Sequence, residues 1–125
     1  MANPLQLPSI LESIRGACGL DTSDESFDME LIMHINSALA TLNQNGVGLS
    51  ISVSDTTQLW ESFKDPTQTN GNELFEMVKH YVFVKTKLLF DPPPPSNVQY
   101  ISEAANEDLW RLRETFNLDK KVVIP

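Results

Sequence analysis

The residues of this chain that could bind a metal ion or act as nucleophiles are few and isolated. His34 and His80 lack partners at metal-ligand spacing, and Cys18 is the single cysteine. The sequence has neither a glycine-rich phosphate-binding loop nor the nucleophile turn of hydrolases. It therefore predicts no catalytic, cofactor-binding or metal-binding residues, and His34 is interpreted as a histidine on the flank of a helix.

The densest group of titratable residues is a run of acids that could suggest a cation site. It comprises Asp21, Asp24, Glu25, Asp28 and Glu30. The spacing is not that of a calcium loop, because no glycine stands at the turn and no glutamate at the closing position. A solvated loop followed by an acidic helix N-terminus, which the helix dipole favours, is the simpler interpretation.

Length and composition indicate one small domain. The chain has 125 residues, of which 41% are hydrophobic, enough for a single core. A single cysteine cannot form an internal disulfide and suits a reducing cytoplasm. No basic and apolar leader opens the chain, and no apolar run is long enough to span a bilayer, so we expect neither a signal peptide nor a membrane segment.

The net charge of −8 is unevenly placed. Residues 1–78 contain eleven acids against only Arg15 and Lys64, whereas Lys79, Lys85 and Lys87 follow within one short segment. No basic patch with interleaved aromatic residues is present, which argues against tight nucleic-acid binding. An acidic surface remains compatible with DNA that slides past without binding.

The spacing of apolar residues predicts a mainly α-helical fold, a small bundle of four to five helices with a short extended or β-hairpin arm. Residues 1–118 form the domain and residues 119–125 a C-terminal tail. Ser9 and Glu12 form a capping box for a first helix that Gly19 ends. Thr22 and Glu25 form a second capping pair before the next helix.

The second helix is predicted over residues 27–45. Its core face contains Phe27, Leu31, Ile35, Ala38, Leu39 and Leu42. Met29, Met33 and Ala40 lie nearly opposite this face. A second apolar face requires either another helix of the same chain or a neighbouring subunit, and both interpretations stay open.

The middle of the chain predicts less regular structure. Residues 49–54 alternate apolar and polar side chains, as in a half-buried strand, and could be an extended arm or half of a hairpin. Asp55 is expected to cap a short helix over residues 56–63. A polar loop then leads to Asn70 and Glu73, which suggest the start of a long helix that ends at Phe90.

The long helix has a core face and an unusual opposite face. The core face is formed by Leu74, Val78, Tyr81, Val82, Leu88 and Leu89, with Phe75 and Met77 at its edges. Phe83 and Phe90 project the other way, which suggests either a further internal contact or an interface. Lys85 interrupts the apolar face; it extends to water, pairs with an acid such as Asp91, or reaches a partner subunit.

The long helix stops abruptly, because Asp91 is followed by four consecutive prolines. Proline lacks an amide hydrogen and excludes the preceding residue from helical geometry, so the connection must be stiff and extended. A last helix is predicted from Ser96 to about Leu118. Its core stripe contains Val98, Ile101, Ala105, Leu109, Leu112 and Phe116.

Several segments, in order along the chain, resemble one protein family. They are residues 31–39, 41–44, 46–48, 59–60, 78–82, 87–93, 107 and 109–112. The most specific is Lys87-Leu88-Leu89-Phe90-Asp91-Pro92-Pro93, an apolar helix that ends in an aspartate-proline pair. The chain resembles the small head–tail connector proteins, also called adaptor or head-completion proteins, of tailed double-stranded-DNA bacteriophages. Four prolines instead of two, and Lys87 where arginine is common, are departures from the family pattern.

The resemblance implies a structural virion protein without enzymatic activity. Such proteins assemble into a ring, typically a dodecamer, beneath the capsid portal, where they extend the DNA channel and join head to tail. The implied partners are other copies of the chain, the portal protein, the next head-completion or tail protein, and genomic DNA that passes without sequence-specific binding. The implied location is the head–tail junction of the virion, with the host cytoplasm during assembly, and no membrane is involved.

The helix faces and the connection after the long helix offer candidate contact residues for such a ring. A closed ring needs two different patches on each subunit. The candidates for these patches are Met29, Met33, Ala40, Phe83, Phe90, Asp91, Pro92 and Pro93. In some relatives the C-terminal tail docks into the portal, which makes Lys120, Lys121, Val122, Val123 and Ile124 the docking candidates here.

An alternative from another functional class is a small acidic adaptor or inhibitor that binds one host protein as a monomer. Ring assembly distinguishes the two hypotheses. A hydrolase, as a third possibility, has almost no support in the sequence.

Overall fold

A computed structural model describes residues 3–68 and 74–121 of the chain, the last four of these by their backbone. These residues form five α-helices after a short 3₁₀ turn at Pro4–Gln6. The helices are α1 (Ile10–Ala17), α2 (Asp28–Gln44), α3 (Trp60–Phe63), α4 (Phe75–Phe90) and α5 (Pro95–Lys121). The described residues form no strand, only an isolated antiparallel bridge between Ser9 and Leu59. The predicted mainly helical bundle is confirmed.

The first helix begins and ends as its sequence predicts. The Ser9 Oγ accepts a hydrogen bond from the Glu12 amide at 3.3 Å, the first half of a capping box. After α1 the chain turns at Gly19, whose φ of 87° is accessible to glycine at low cost. The Leu20 amide bonds back to the Arg15 carbonyl at 2.9 Å and closes the helix end.

Two predicted helix caps are wrong. Thr22 and Glu25 do not cap α2, whose N-cap residue is Phe27 without a side-chain cap bond. Asp55 accepts hydrogen bonds from the amide and hydroxyl of Thr57, and the helix expected from residue 56 begins only at Trp60. In both loops, aspartates bond to groups two residues ahead, which stabilises turns in place of a helical start.

The core lies mainly between α2 and α4. The predicted face of α2 is buried at Leu31, Ile35, Ala38, Leu39 and Leu42. It forms one apolar cluster with Val78, Tyr81 and Val82 of α4. Phe27 departs from the prediction: it precedes α2, remains 42% exposed, and packs its ring edge against Phe90.

A buried arginine joins the end of α1 to the start of α2. The Arg15 side chain is only 3% exposed, and its Nε and Nη2 donate to the two oxygens of Asp28 at 2.9 and 2.5 Å. Its Nη1 donates to the Thr22 carbonyl at 2.7 Å. The bond to Asp28 raises the pKa of Arg15, so the guanidinium stays charged. This pairing satisfies the buried charge and fixes the loop between the two helices.

The segment over residues 49–54 keeps its predicted alternation without pairing to a strand. Val53 is buried and Ile51 half-buried, while the serines between and around them are exposed. Asn36 of α2 donates to the Val53 carbonyl at 2.9 Å and accepts from the Val53 amide at 2.7 Å. The Asn36 side chain thus satisfies the Val53 amide and carbonyl, which in a sheet would bond to a neighbouring strand.

The turn after α2 is packed tightly enough to require glycine. Gly48 has a φ of 72°, and a Cβ atom there would overlap the ring of Phe63. Fully buried Gln68 donates to the Gly46 carbonyl at 2.9 Å and accepts from the Gly48 amide at 3.3 Å. These contacts hold the loop against α3.

The two long helices form a hairpin around the prolines. Helix α4 ends at Phe90 as predicted, with the Asp91 amide bonded to the Lys87 carbonyl at 2.9 Å. Its predicted start at Asn70 and Glu73 lies outside the described residues. Contrary to the prediction, Leu89 is 59% exposed, because it falls outside the face that packs on α2.

Helix α5 packs through the predicted stripe. Ala105, Leu112 and Phe116 are fully buried, and Val98, Ile101 and Leu109 are half-buried. The helix begins one residue before the predicted start, with Pro95 in its first turn, where the missing amide hydrogen costs no helical bond. It continues through Lys121, so the predicted tail begins as helix.

Candidate protein-binding surfaces

An apolar groove lies between α4 and α5, beside the proline run. It has a cavity volume of about 380 Å³. Its walls are formed by His80, Phe83, Val84, Lys87, Leu88, Pro93, Ile101 and Ala104. We call this feature the α4–α5 groove. Its apolar lining and its concave shape are typical of a site for another protein's side chains or for a small apolar ligand.

The proline run and a small residue explain why the groove stays open. The stiff connection fixes where α5 departs from α4, and Pro93 lines the groove. Ala104 on α5 contributes only a methyl group to the wall. Ile101 of the α5 core stripe is half-buried and lines the groove as well.

Two polar residues at the groove, Lys87 and His80, each contact an acidic side chain. The Lys87 Nζ lies 3.0 Å from an Asp91 oxygen, one helical turn away. The His80 Nδ1 lies 3.1 Å from an Asp108 oxygen across the two helices. Asp91 therefore pairs with Lys87 and not with Lys85, which corrects one of the interpretations of Lys85. The Lys85 side chain is partly exposed.

The predicted aromatic pair of α4 is divided between two environments. Phe83 is half-buried and lines the α4–α5 groove. Phe90 is half-buried at the other side, with its ring centre 5.3 Å from that of Phe27 in an edge-on arrangement. Both rings pack against the core, so each makes an internal contact. Of the predicted proline candidates, Pro93 lines the groove, and Pro92 and Asp91 are exposed beside it.

The predicted second face of α2 is on the surface. Met29 is 89% exposed, Met33 is 61% exposed, and Ala40 is exposed as well. We call these three residues the methionine face. The structure brings no other helix of the described residues onto this face, and the neighbouring-subunit interpretation stays a prediction. Exposed methionines on a helix are adaptable contact residues.

Two exposed aromatic residues of α5 were not predicted as contact residues. Tyr100 is 74% exposed and Trp110 is 57% exposed. Their positions outside the core stripe of α5 were a signal in the sequence, because a helical residue off the buried stripe must face solvent or a partner. Large exposed aromatics are typical anchors of protein interfaces.

The predicted portal-docking residues are placed only in part. Lys120 and Lys121 belong to the last turn of α5. Val122, Val123 and Ile124 lie outside the described residues. Their role in docking therefore stays a prediction.

The acidic loop and the lone cysteine have local explanations. Asp21 and Asp24 accept hydrogen bonds from Ser23 and Ser26, which lowers the pKa of both carboxyls. Burial raises the pKa of the Cys18 thiol, which suits a packed neutral side chain. Within residues 3–68 and 74–121, no group of three or more potential ligands could hold a metal ion. No helix in that part of the chain is long and apolar enough to cross a membrane.

Comparison with known proteins identifies the family. A family model described as phage connector protein matches residues 10–117, which include α1 to α4 and most of α5. No curated protein and no solved structure matches the chain. The match covers far more than half of the sequence and spans both the methionine face and the α4–α5 groove. The chain therefore belongs to the phage connector protein family, whose role at the junction of head and tail is structural.

Proposed function

We propose that this protein forms a ring beneath the capsid portal, extends the DNA channel and joins the head to the tail. The observation that carries the proposal is the family match over residues 10–117. Membership implies contact with other head or tail proteins at the virion head–tail junction. Three parts of the proposal go further than family membership: the ring, the DNA channel, and the portal protein as the specific partner.

The surface of the protein supports assembly through contacts between unlike patches. The methionine face lies on α2, whereas the α4–α5 groove lies between two other helices. A subunit that joins head-to-tail through two different patches makes a closed ring when the rotation between neighbours closes. Two apolar surface features on different helices are what such a subunit requires.

The charge of the chain supports a channel that does not retain DNA. The net charge of −8 supplies acids for an inner surface that repels phosphates. The portal contact is assigned to the end of the chain, from Lys120 to Ile124. Charged lysines followed by apolar residues could pair with acids and add apolar contact in a portal cleft.

Native mass spectrometry and electron microscopy of the protein, alone and mixed with the portal protein of the same phage, test the ring. The expected result is a closed ring, typically of twelve copies, on the portal. Isolated monomers without portal agree with the proposal if the ring forms when portal is added. Monomers at high concentration in the presence of portal would contradict the ring and favour the alternative of a small acidic adaptor for a host protein.

Deletion of residues 120–125 tests the portal contact separately. We expect weaker binding to the portal and an unchanged helical circular-dichroism spectrum, because the buried residues described on α5, Ala105, Leu112 and Phe116, all precede the deleted segment. Equal portal binding by the truncated and full-length proteins would overturn the tail assignment.

A further inference from the structure

We propose that the α4–α5 groove of one subunit receives Met29 and Met33 from α2 of a second copy. This inference rests on the proposed ring and names the two surfaces that meet in it. It commits the groove to one occupant, a helix of the same sequence. The contact is a helix laid into a groove, with side chains one turn apart as anchors.

The dimensions of the two surfaces agree. Met29 and Met33 are one turn apart, about 6 Å along α2. The groove extends along α4 from His80 to Leu88, about 12 Å, and α5 closes its other side at Ile101 and Ala104. Two methionine side chains therefore fit along it in sequence. Their unbranched, flexible thioethers adapt to an irregular apolar wall and contact aromatic rings such as that of Phe83 favourably.

The charges beside the two surfaces are complementary. Glu30 lies between the two methionines in sequence and is exposed, and one of its oxygens lies 3.4 Å from the His34 Nε2. Lys87 stands at the groove. Its present pair with Asp91 is exposed on both sides, and exposed pairs of this kind are weak. Exchange of one such pair for a contact between Glu30 and Lys87 of another subunit therefore costs little.

The contact cannot be made within one chain. The inner face of α2 packs on α4 of its own subunit through buried residues such as Leu31 and Ile35. Met29 and Met33 point away from this contact and do not line the groove of their own subunit. A second copy must supply them. The methionine face and the α4–α5 groove are different surfaces. An open chain of subunits therefore ends in an unoccupied methionine face on one side and an unoccupied groove on the other, and both are occupied only when the ring closes.

Cross-linking between engineered cysteines tests the contact. In a Cys18→Ser background, Met33→Cys and Ala104→Cys are combined in one chain and treated with a short bis-maleimide, with and without portal protein. Packed helix axes lie about 8–10 Å apart, within reach of such a reagent. We expect a ladder of covalent dimers, trimers and larger species, because each chain carries both halves of the contact.

A matched pair of cysteines is the control. Leu89 is 59% exposed, close to the 61% of Met33, but it does not line the groove. Met33→Cys with Leu89→Cys should give no ladder. An equal ladder from this pair, or no ladder from the Met33 and Ala104 pair while rings form, would overturn the inference and leave the ring proposal intact. Absence of rings from the unmodified protein with portal would instead overturn the ring proposal.

A second variant does not depend on cysteine chemistry. Ala104 is exposed at the groove, so Ala104→Trp should fill the groove without disturbing the core. We expect loss of rings with an unchanged helical circular-dichroism spectrum. Leu89→Trp adds the same side chain elsewhere and should leave assembly unchanged. Normal rings from Ala104→Trp would contradict an occupied groove, whether by a second copy or by any other protein.

Discussion

The region from Ser9 to Gln68 and the helix α5 are stabilised in different ways. In the first region, which we call the anchored region, buried polar side chains connect separate segments: the Trp60 indole donates to the Ser13 hydroxyl at 2.9 Å, and Arg15 holds Asp28. Helix α5 has no buried polar side chain among its described residues. Its ion pair between Arg111 and Glu107 is exposed on both sides.

The difference concerns how each region holds the surface that it offers to partners. Buried, fully paired polar groups tolerate few alternative arrangements, so they favour one geometry for the loops of the anchored region. Helix α5 packs through a single apolar stripe, and the remainder of its surface stays available. Part of the groove lies on α5, and Tyr100 and Trp110 are exposed on the same helix. The methionine face lies instead on α2, so each of the two regions contributes one candidate surface.

The same substitution at an arginine in each region should give the largest contrast. Arg15→Ala leaves the Asp28 carboxylate and the Thr22 carbonyl without their buried partner. We expect a loss of about 3 kcal/mol in the free energy of unfolding, measured by urea denaturation. Arg111→Ala removes a side chain that is 55% exposed, and it should cost less than about 0.5 kcal/mol.

Arg15→Lys sharpens this contrast, because lysine keeps the positive charge but lacks the planar guanidinium that donates to both oxygens of Asp28. We expect it to recover only part of the free energy of unfolding that Arg15→Ala loses. Equal effects of Arg15→Ala and Arg111→Ala would show that the anchored region does not depend on its buried pair.

Two asparagines in the interiors of helices offer a second contrast. Asn36→Ala deprives the Val53 backbone of both hydrogen bonds, and we expect a loss of about 2 kcal/mol in urea denaturation. Asn106 lies on the exposed side of α5, where alanine is the better helix former. Asn106→Ala should therefore stabilise the protein by up to about 0.5 kcal/mol. If Asn106→Ala lowers the free energy of unfolding as much as Asn36→Ala does, the proposed difference between the anchored region and α5 is contradicted.

The helices could be predicted from the sequence because apolar spacing and burial agree. The stripe from Leu31 to Leu42 is buried, and the abrupt stop at Phe90 follows from proline chemistry. The starts of α2 and α3 could not be predicted in the same way. An aspartate before a helix can bond to a nearby amide in a turn or cap the helix, and the surrounding packing selects between them.

The candidate surfaces were predictable only where one helix determines them. The exposure of Met29 and Met33 follows from their position opposite the core face of α2. The α4–α5 groove depends on how closely two helices approach, which periodicity does not specify. Phe83 and Phe90 have similar positions in the sequence pattern, yet one lines a groove and the other packs on Phe27. Only the tertiary arrangement separates them.

A buried threonine outside the anchored region tests the comparison in the opposite direction. Thr86 on α4 is fully buried, and within the described residues its Oγ1 makes no hydrogen bond. Thr86→Val replaces the hydroxyl with a methyl group of similar size, so it removes the cost of an unsatisfied polar atom. We expect stabilisation by about 1 kcal/mol in urea denaturation. Thr86→Ala, which also leaves a void, should be less stable than Thr86→Val. If Thr86→Val instead destabilises the protein as Asn36→Ala does, polar anchoring extends into α4 and the division between the regions does not hold.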